Sequence, residues 1–316
     1  MEVIKIQKRP NLFFMYWTLT DFCNFRCNYC PSHLHSGDYY SGRKPGFPTD
    51  DQINTFLDLL ISTYLPGKVL SLALGGGEPT LHPMFPTIIE KMSPFGETAV
   101  TTNGGRGVEW WKSLKKLPTT VSISLHHEFT KLDKINETSH FLVDAGVDLT
   151  YNLSCDPANW NDALGMYAGI DDDLKRLVQP KVLNYIGSGR DTYPYTKEQR
   201  AWIKDVQSKF VRNSPNQLTG KIVKTLPTVI YADGKNRLLR NLAELTLNNE
   251  HIYTGWECHA GQETFNIHFD GIVYSSICKQ VQVSHLSDFK PLAEPFICQM
   301  TSCTCPGDLL VTKNKV

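Results

Sequence analysis

Thr18-Leu19-Thr20-Asp21-Phe22-Cys23-Asn24-Phe25-Arg26-Cys27-Asn28-Tyr29-Cys30 follows directly on the apolar run 12–17 and places three cysteines within eight residues. Residues 12–20 read as a buried strand, so the cysteines fall on the loop at its carboxyl end. Their spacing is C-x3-C-x2-C. Three thiolates on one short loop can hold three irons of a 4Fe–4S cluster and leave the fourth iron open to a ligand. Zinc is the alternative: it uses C-x2-C pairs and wants a fourth ligand, which His33 or His35 could supply.

Strand and helix signals alternate outward from this stretch. Thr49 is a predicted N-cap for a helix over 50–64, where Ile53, Phe56, Leu57, Leu60 and Ile61 recur at three- and four-residue steps. Further strands are predicted at 69–74, ending in Gly75-Gly76-Gly77, and at 97–102, 120–125, 147–153 and 182–186. Helices are predicted near 83–92, 108–117, 131–145, 160–170 and 197–210. Six βα repeats imply an α/β fold, a partial (β/α)6 TIM-type barrel over residues 1–210. Functional groups of such sheets sit at the carboxyl ends of strands. The repeat stops after Phe210. Residues 211–253 read as a linker and connecting hairpin that turns at Asp233-Gly234. Residues 254–316 read as a small Cys-rich β-hairpin/α module, with its own turn at Asp270-Gly271.

Composition limits the function classes. Of 316 residues 41% are hydrophobic and 20% charged, which excludes a disordered or collagen-like chain. Lys+Arg and Asp+Glu are 32 each, so there is no basic excess of the kind that marks duplex nucleic-acid binding. The N-terminal apolar run of about nine residues is too short to span a membrane and no cleavage site follows, so no membrane role and a cytoplasmic location are expected. Nine cysteines without a secretion signal argue against a disulfide framework. Three lie at one end and Cys258, Cys278, Cys298, Cys303 and Cys305 at the other, which points to two metal sites.

With these motifs in view, the chain resembles the radical S-adenosylmethionine (SAM) enzymes over roughly residues 10–210. Cys23, Cys27, Tyr29 and Cys30 match the family's C-x3-C-x-aromatic-C motif, and Gly75-Gly76-Gly77-Glu78-Pro79 matches its glycine-rich motif. The resemblance implies that Cys23, Cys27 and Cys30 ligate a 4Fe–4S cluster whose open iron is chelated by SAM. It implies further that the Gly76 and Gly77 carbonyls and the Glu78 carboxylate accept from the SAM ammonium group, that Tyr29 packs near adenine, that Asn103 and Ser124 lie near the methionyl and ribose groups, and that Pro79 and His126 belong to the same cofactor-binding set. Of His126 and His127, alternation lets only His126 share the face of Ser124. Without the cysteines, Gly75–Gly77 would read as a tight βα turn and Glu78 as a charge at a helix N-terminus.

The C-terminal cysteines resemble the "twitch" module, a shortened form of the SPASM extension that carries one auxiliary iron–sulfur cluster. Their spacing leaves open which of Cys298, Cys303 and Cys305 are ligands, and structural zinc remains the alternative. The reaction implied is reductive cleavage of SAM, then hydrogen abstraction from a substrate by the 5′-deoxyadenosyl radical. The expected substrate is a small molecule, sugar or nucleotide-like compound undergoing net oxidation or epimerisation. The expected electron donor is a one-electron reductant such as flavodoxin or ferredoxin. Cys155, just past the fifth predicted strand, is a candidate hydrogen donor, and Asp156, Asp191, Tyr193 and Tyr195 hold strand-end or loop positions. A ribosomal-peptide maturase is the alternative, although residues 1–11 are too short for a leader-peptide-binding domain. A zinc-stabilised binding protein is the reading from another class.

Overall fold

The computed structural model describes residues 2–30, 47–183, 193–211, 226–239 and 242–316. His33, His35, Asp191 and residues 184–186 of the predicted sixth strand lie outside the described residues. The central strands are β1 (Val3–Gln7), β2 (Leu12–Thr20), β3 (Val69–Gly76), β4 (Gly96–Thr102), β5 (Thr120–Leu125), β6 (Asp148–Cys155) and β7 (Val178–Val182). They are followed by β8 (Thr228–Tyr231), β9 (Asn236–Leu238), β10 (Glu257–Cys258), β11 (Thr264–Ile267), β12 (Ile272–Tyr274), β13 (Gln282–His285), β14 (Phe296–Ile297) and β15 (Lys313–Asn314). The longer helices are α1 (Asp50–Leu59), α2 (Phe85–Met92), α3 (Val108–Lys112), α4 (Leu132–Asp144), α5 (Trp160–Ala168) and α6 (Lys197–Ser208).

Strands β2 to β7 are parallel and adjacent in chain order, within a nine-stranded sheet ordered β13-β12-β11-β2-β3-β4-β5-β6-β7. Sequential order without a switch point sends every crossover helix to the same side. The burial pattern agrees. Phe13, Met15, Trp17 and Leu19 of β2 are buried, whereas Phe14, Tyr16 and Thr18 between them are only half-buried. Val121, Ile123 and Leu125 of β5 alternate with Ser122 and Ser124 in the same way. The apolar face packs on Ile53, Phe56 and Leu57 of α1 and on Phe85, Ile88, Ile89 and Met92 of α2. Trp17 meets Phe56 edge to face at 5.7 Å. Each such side chain contributes about 1.5–3 kcal/mol on burial. The opposite face, lined by Tyr16, Thr18, Ser122 and Ser124, is left polar for a site.

Several boundaries differ from the sequence expectation. The N-terminal segment is two strands and not one: β1 joins a second sheet, β14-β10-β15-β1-β8-β9, while β2 enters the first. Thr49 caps α1 through a reciprocal pair with Gln52, and the helix runs on into a π turn over Leu60–Tyr64. The sixth strand of the repeat is Val178–Val182, four residues before the expected one, because Val178 and Pro180 take the buried positions beside β6. Pro180 is tolerated since β7 is the edge of the sheet. The 263–276 hairpin forms as β11 and β12, but β11 also pairs in parallel with β2, so it extends the main sheet. Among the described residues no helix is long and apolar enough to cross a membrane.

Candidate active site

The loop after β2 is held from two sides. On one side the N–H of Gly77 donates to the carbonyl of Thr20 at 2.8 Å and that of Glu78 to Phe22 at 2.7 Å. This backbone-to-backbone approach explains the glycines. A β-carbon on Gly77 would collide with the Phe22 carbonyl, and one on Gly76, whose φ is +122°, with the Thr20 carbonyl. Tyr16 lies over Gly75 in the same way. On the other side Asn28 donates its backbone N–H to Glu128 at 3.2 Å, and Phe25 stacks on Phe129 at 5.1 Å.

This double anchoring points Cys23, Cys27 and Cys30 into a cavity of about 240 Å³. Its other walls are Tyr16, Phe25, Gly75–Gly77, Thr101, Thr102, Asn103, Ser124 and His126. Cys27 is buried and the other two are half-buried. Burial pushes all three thiols up, and Cys27 reaches about 12 with the neighbouring Cys30 adding to the effect. Thiols like these hold metal only as thiolates, so loading must release protons. The donor set fits an iron–sulfur group: three thiols at one end of the cavity, with close-packed glycine backbone and polar strand ends around the rest.

The other expected residues fall in distinct places. Ser124 and His126 are on the cavity wall. The Tyr29 hydroxyl and His126 Nδ1 share a hydrogen bond of 2.5 Å, and their rings stack at 5.8 Å. Burial, with His127 next to it, lowers His126 to about 4, so its ring is neutral at physiological pH. Asn103 donates through Nδ2 to Asn24 Oδ1 at 2.8 Å and lies 3.6 Å from Cys23 Sγ. Glu78 is 1% exposed and does not line the cavity. Its carboxylate accepts from the Thr80 N–H, the Thr80 and Thr102 hydroxyls and the Asn103 N–H. Pro79 starts the short 3-10 turn Pro79–Leu81 behind it. Glu78 and Pro79 therefore shape the cavity from outside.

Cys155 requires a correction. It was expected on the active side, but its position in β6 puts it on the face of Tyr151 and Leu153, inside the apolar core and fully buried. The positions of β6 on the opposite, polar face are Asn152, paired with Ser124, and Ser154. A thiol on the helix-packed face cannot meet a substrate radical. Tyr195 donates from its hydroxyl to the Cys155 carbonyl and so belongs to the same packing. Sequence reading missed Tyr16, Phe25 and Glu128. The alternation of Phe14, Tyr16 and Thr18 within β2 was the available signal for Tyr16.

A second cavity, of about 680 Å³, gathers Cys258, Cys278, Cys298, Cys303 and Cys305 together with Gln280, Asp308 and Lys313. Burial pushes Cys258 up to about 11 and Cys303 to about 12. Among the described residues no three His, Cys, Asp or Glu side chains close on a single ion. The thiols stand around a space and not at a point. The two cavities share one sheet face: Tyr16 lines the first, and Phe14, two residues earlier on that face, packs against Gly307 in the helical turn that follows Cys305.

Residues 17–143 match the family model of the Radical SAM superfamily. A GTP 3′,8-cyclase of Pasteurella multocida (strain Pm70) is 32% identical over 136 residues, 40% of this chain and 38% of the relative. A GTP 3′,8-cyclase of Haemophilus influenzae (strain PittGG) is 29% identical over 212 residues, 63% of this chain and 52% of the relative. The matched part thus spans about half or less of these curated relatives. The crystal structure of Streptococcus suis SuiB bound to S-adenosylmethionine superposes with a TM-score of 0.50 at 15% identity, over 86% of this chain and 63% of that one. At that identity the likeness is one of fold. The likeness to the Radical SAM superfamily thus covers residues 17–143, less than half of the chain.

Proposed function

We propose that this chain is a radical SAM enzyme, with residues 1–210 built around a partial barrel that holds SAM and a 4Fe–4S cluster. The observation that carries the reading is that Cys23, Cys27 and Cys30 share one cavity with the backbone of Gly75–Gly77 and the polar ends of β4 and β5. When bound, that cofactor pair supplies one-electron cleavage of SAM and abstraction of a hydrogen atom from the substrate. The chain supplies position. Gly75–Gly77 offer backbone to SAM, Ser124 and Asn103 offer hydrogen-bonding groups, and neutral His126, fixed by Tyr29, offers an uncharged polar wall. The apolar layer behind the strands limits water entry.

The substrate in this reading is a small, nucleotide- or sugar-like molecule. The polar inner face of Ser122, Ser124, Thr150 and Asn152 suits it, and the curated relatives are named for a reaction on GTP. The C-terminal cysteines hold an auxiliary iron–sulfur group in a twitch-like module over residues 254–316. Its place on the same sheet face suits it to accept an electron from the substrate side, which favours net oxidation. A flavodoxin- or ferredoxin-like protein supplies the reducing electron. The test is anaerobic incubation of reduced protein with SAM. Formation of 5′-deoxyadenosine, lost in Cys27→Ala, is expected. Intact SAM with iron-loaded wild type would overturn the reading.

A further inference from the structure

Asn266 carries a buried amide whose oxygen nothing in the chain uses. It stands in β11 between Phe265 and Ile267, which are 1% and 0% exposed and belong to the apolar core. Phe265 meets Phe13 at 5.4 Å and Phe289 at 5.1 Å on that side. Alternation therefore turns Asn266 to the opposite, polar face of the sheet. The residue is 2% exposed, and its Oδ1 has no hydrogen-bond partner. A buried acceptor left unpaired costs stability, and asparagine is a poor strand former. Both penalties fall on one position of an interior strand, flanked by β2 and β12.

The surroundings of Asn266 give that oxygen a use. Its register partners are Tyr16 on β2 and Tyr274 on β12, and Tyr274 pairs in turn with Gln282 of β13. Directly opposed residues of neighbouring strands share a face, so these four form one row, with no charged group among them. Tyr16 lines the cavity of Cys23, Cys27 and Cys30. Two residues back along β11, the Thr264 hydroxyl lies 3.2 Å from that of Ser276, which lines the second cavity. Asn266 thus occupies the stretch of sheet face between the two cavities. Tyr274 is held by the edge of the His268 ring at 6.3 Å and by the Lys279 ammonium, 5.4 Å from its ring centre.

Resting on the nucleotide-like substrate proposed above, we propose that Asn266 recognises the base of that substrate. A carboxamide presents an acceptor beside a donor, and the edge of a nucleobase presents the complementary pair. The uncharged row suits a neutral ring and not a phosphate. Tyr16 and Tyr274 flank the amide with aromatic surface of the kind on which bases stack. Binding then supplies the partner that the folded chain withholds from Oδ1. The amide is unfavourable in the free protein and favourable in the complex, as expected of a residue kept for recognition.

The test uses the full, iron-loaded chain with saturating SAM and no reductant, so that the adenine of the cofactor is already in place. Binding of GTP, ATP, CTP and UTP is measured by equilibrium dialysis, with ribose 5-phosphate as the control that lacks a base. At least one triphosphate is expected to bind wild type, and to bind Asn266→Leu about tenfold or more weakly. Ribose 5-phosphate is not expected to displace it. Without nucleotide, Asn266→Leu is expected to melt above wild type, because it removes an unpaired buried amide. Should the leucine fail to fold, Asn266→Ala carries the binding measurement. Failure of all four triphosphates to bind, equal binding by the variant, or displacement by ribose 5-phosphate would overturn the inference. So would a lower melting temperature with binding unchanged, which marks a structural amide. Each of these results leaves the radical SAM reading standing if reduced wild type forms 5′-deoxyadenosine, and absence of that product overturns the reading itself.

Discussion

The backbone N–H of Asn103, at the end of β4, donates to Glu78 Oε2 at 2.6 Å, which ties two motifs 25 residues apart into one buried unit. The Thr80 and Thr102 hydroxyls and the Thr80 N–H complete the carboxylate's partners. Glu78 thereby fixes where the chain turns after β3 and β4, and with it two walls of the cavity around Cys23, Cys27 and Cys30. Glu78→Ala would leave buried N–H groups unpaired at about 1–3 kcal/mol each. A lower melting temperature and weaker SAM binding are expected, the second read by calorimetry. Unchanged binding would mean that the cavity does not depend on this unit.

The glycines make a sharper prediction. Gly77→Ala puts a β-carbon against the Phe22 carbonyl and so displaces the root of the cysteine loop. The cost is expected to exceed about 1 kcal/mol. It should fall on one site only, with iron lost from the N-terminal cysteines and kept by the C-terminal ones. Iron analysis with and without Cys27→Ala checks this.

Much of this was legible before the structure. The alternation in β5 placed Ser124 and His126 on one face, and Thr49 announced α1. The hidden parts have physical causes. Glu78 reads like a ligand residue because a carboxylate beside glycines resembles an exposed charge, and the four donors that enclose it come from two separate segments. Cys155 was misplaced because its predicted strand ended at 153, which left its face undecided, while β6 runs on to 155 and assigns it to the core. The pairing of β11 with β2 joins segments some 250 residues apart, and no local pattern encodes it.

Cys155 is accordingly expected to be dispensable for chemistry. Cys155→Ala should leave 5′-deoxyadenosine formation and product identity unchanged and cost about 1–2 kcal/mol of stability through the small cavity it leaves. Chemical denaturation and product analysis check the two halves.

His126 gives the protein a distinct acid limb. Its folded value is about 4 against an ordinary 6.5, so between those pH values the unfolded chain binds more protons. Its contribution to stability is complete above pH 6.5 and is lost as pH falls towards 4. Metal-free His126→Asn is expected to show a shallower loss of melting temperature from pH 7 to 5 than metal-free wild type. Parallel slopes would contradict a buried neutral imidazole. Tyr29→Phe removes the hydrogen bond to that ring and should cost about 0.5–1.5 kcal/mol.

The most direct test of the two-site account is an iron count and visible absorbance spectrum of anaerobically purified wild type beside Cys27→Ala. Brown protein with roughly eight irons, falling to roughly four in the variant, is the expected result. Colourless protein that carries zinc, or equal iron in both proteins, would contradict it.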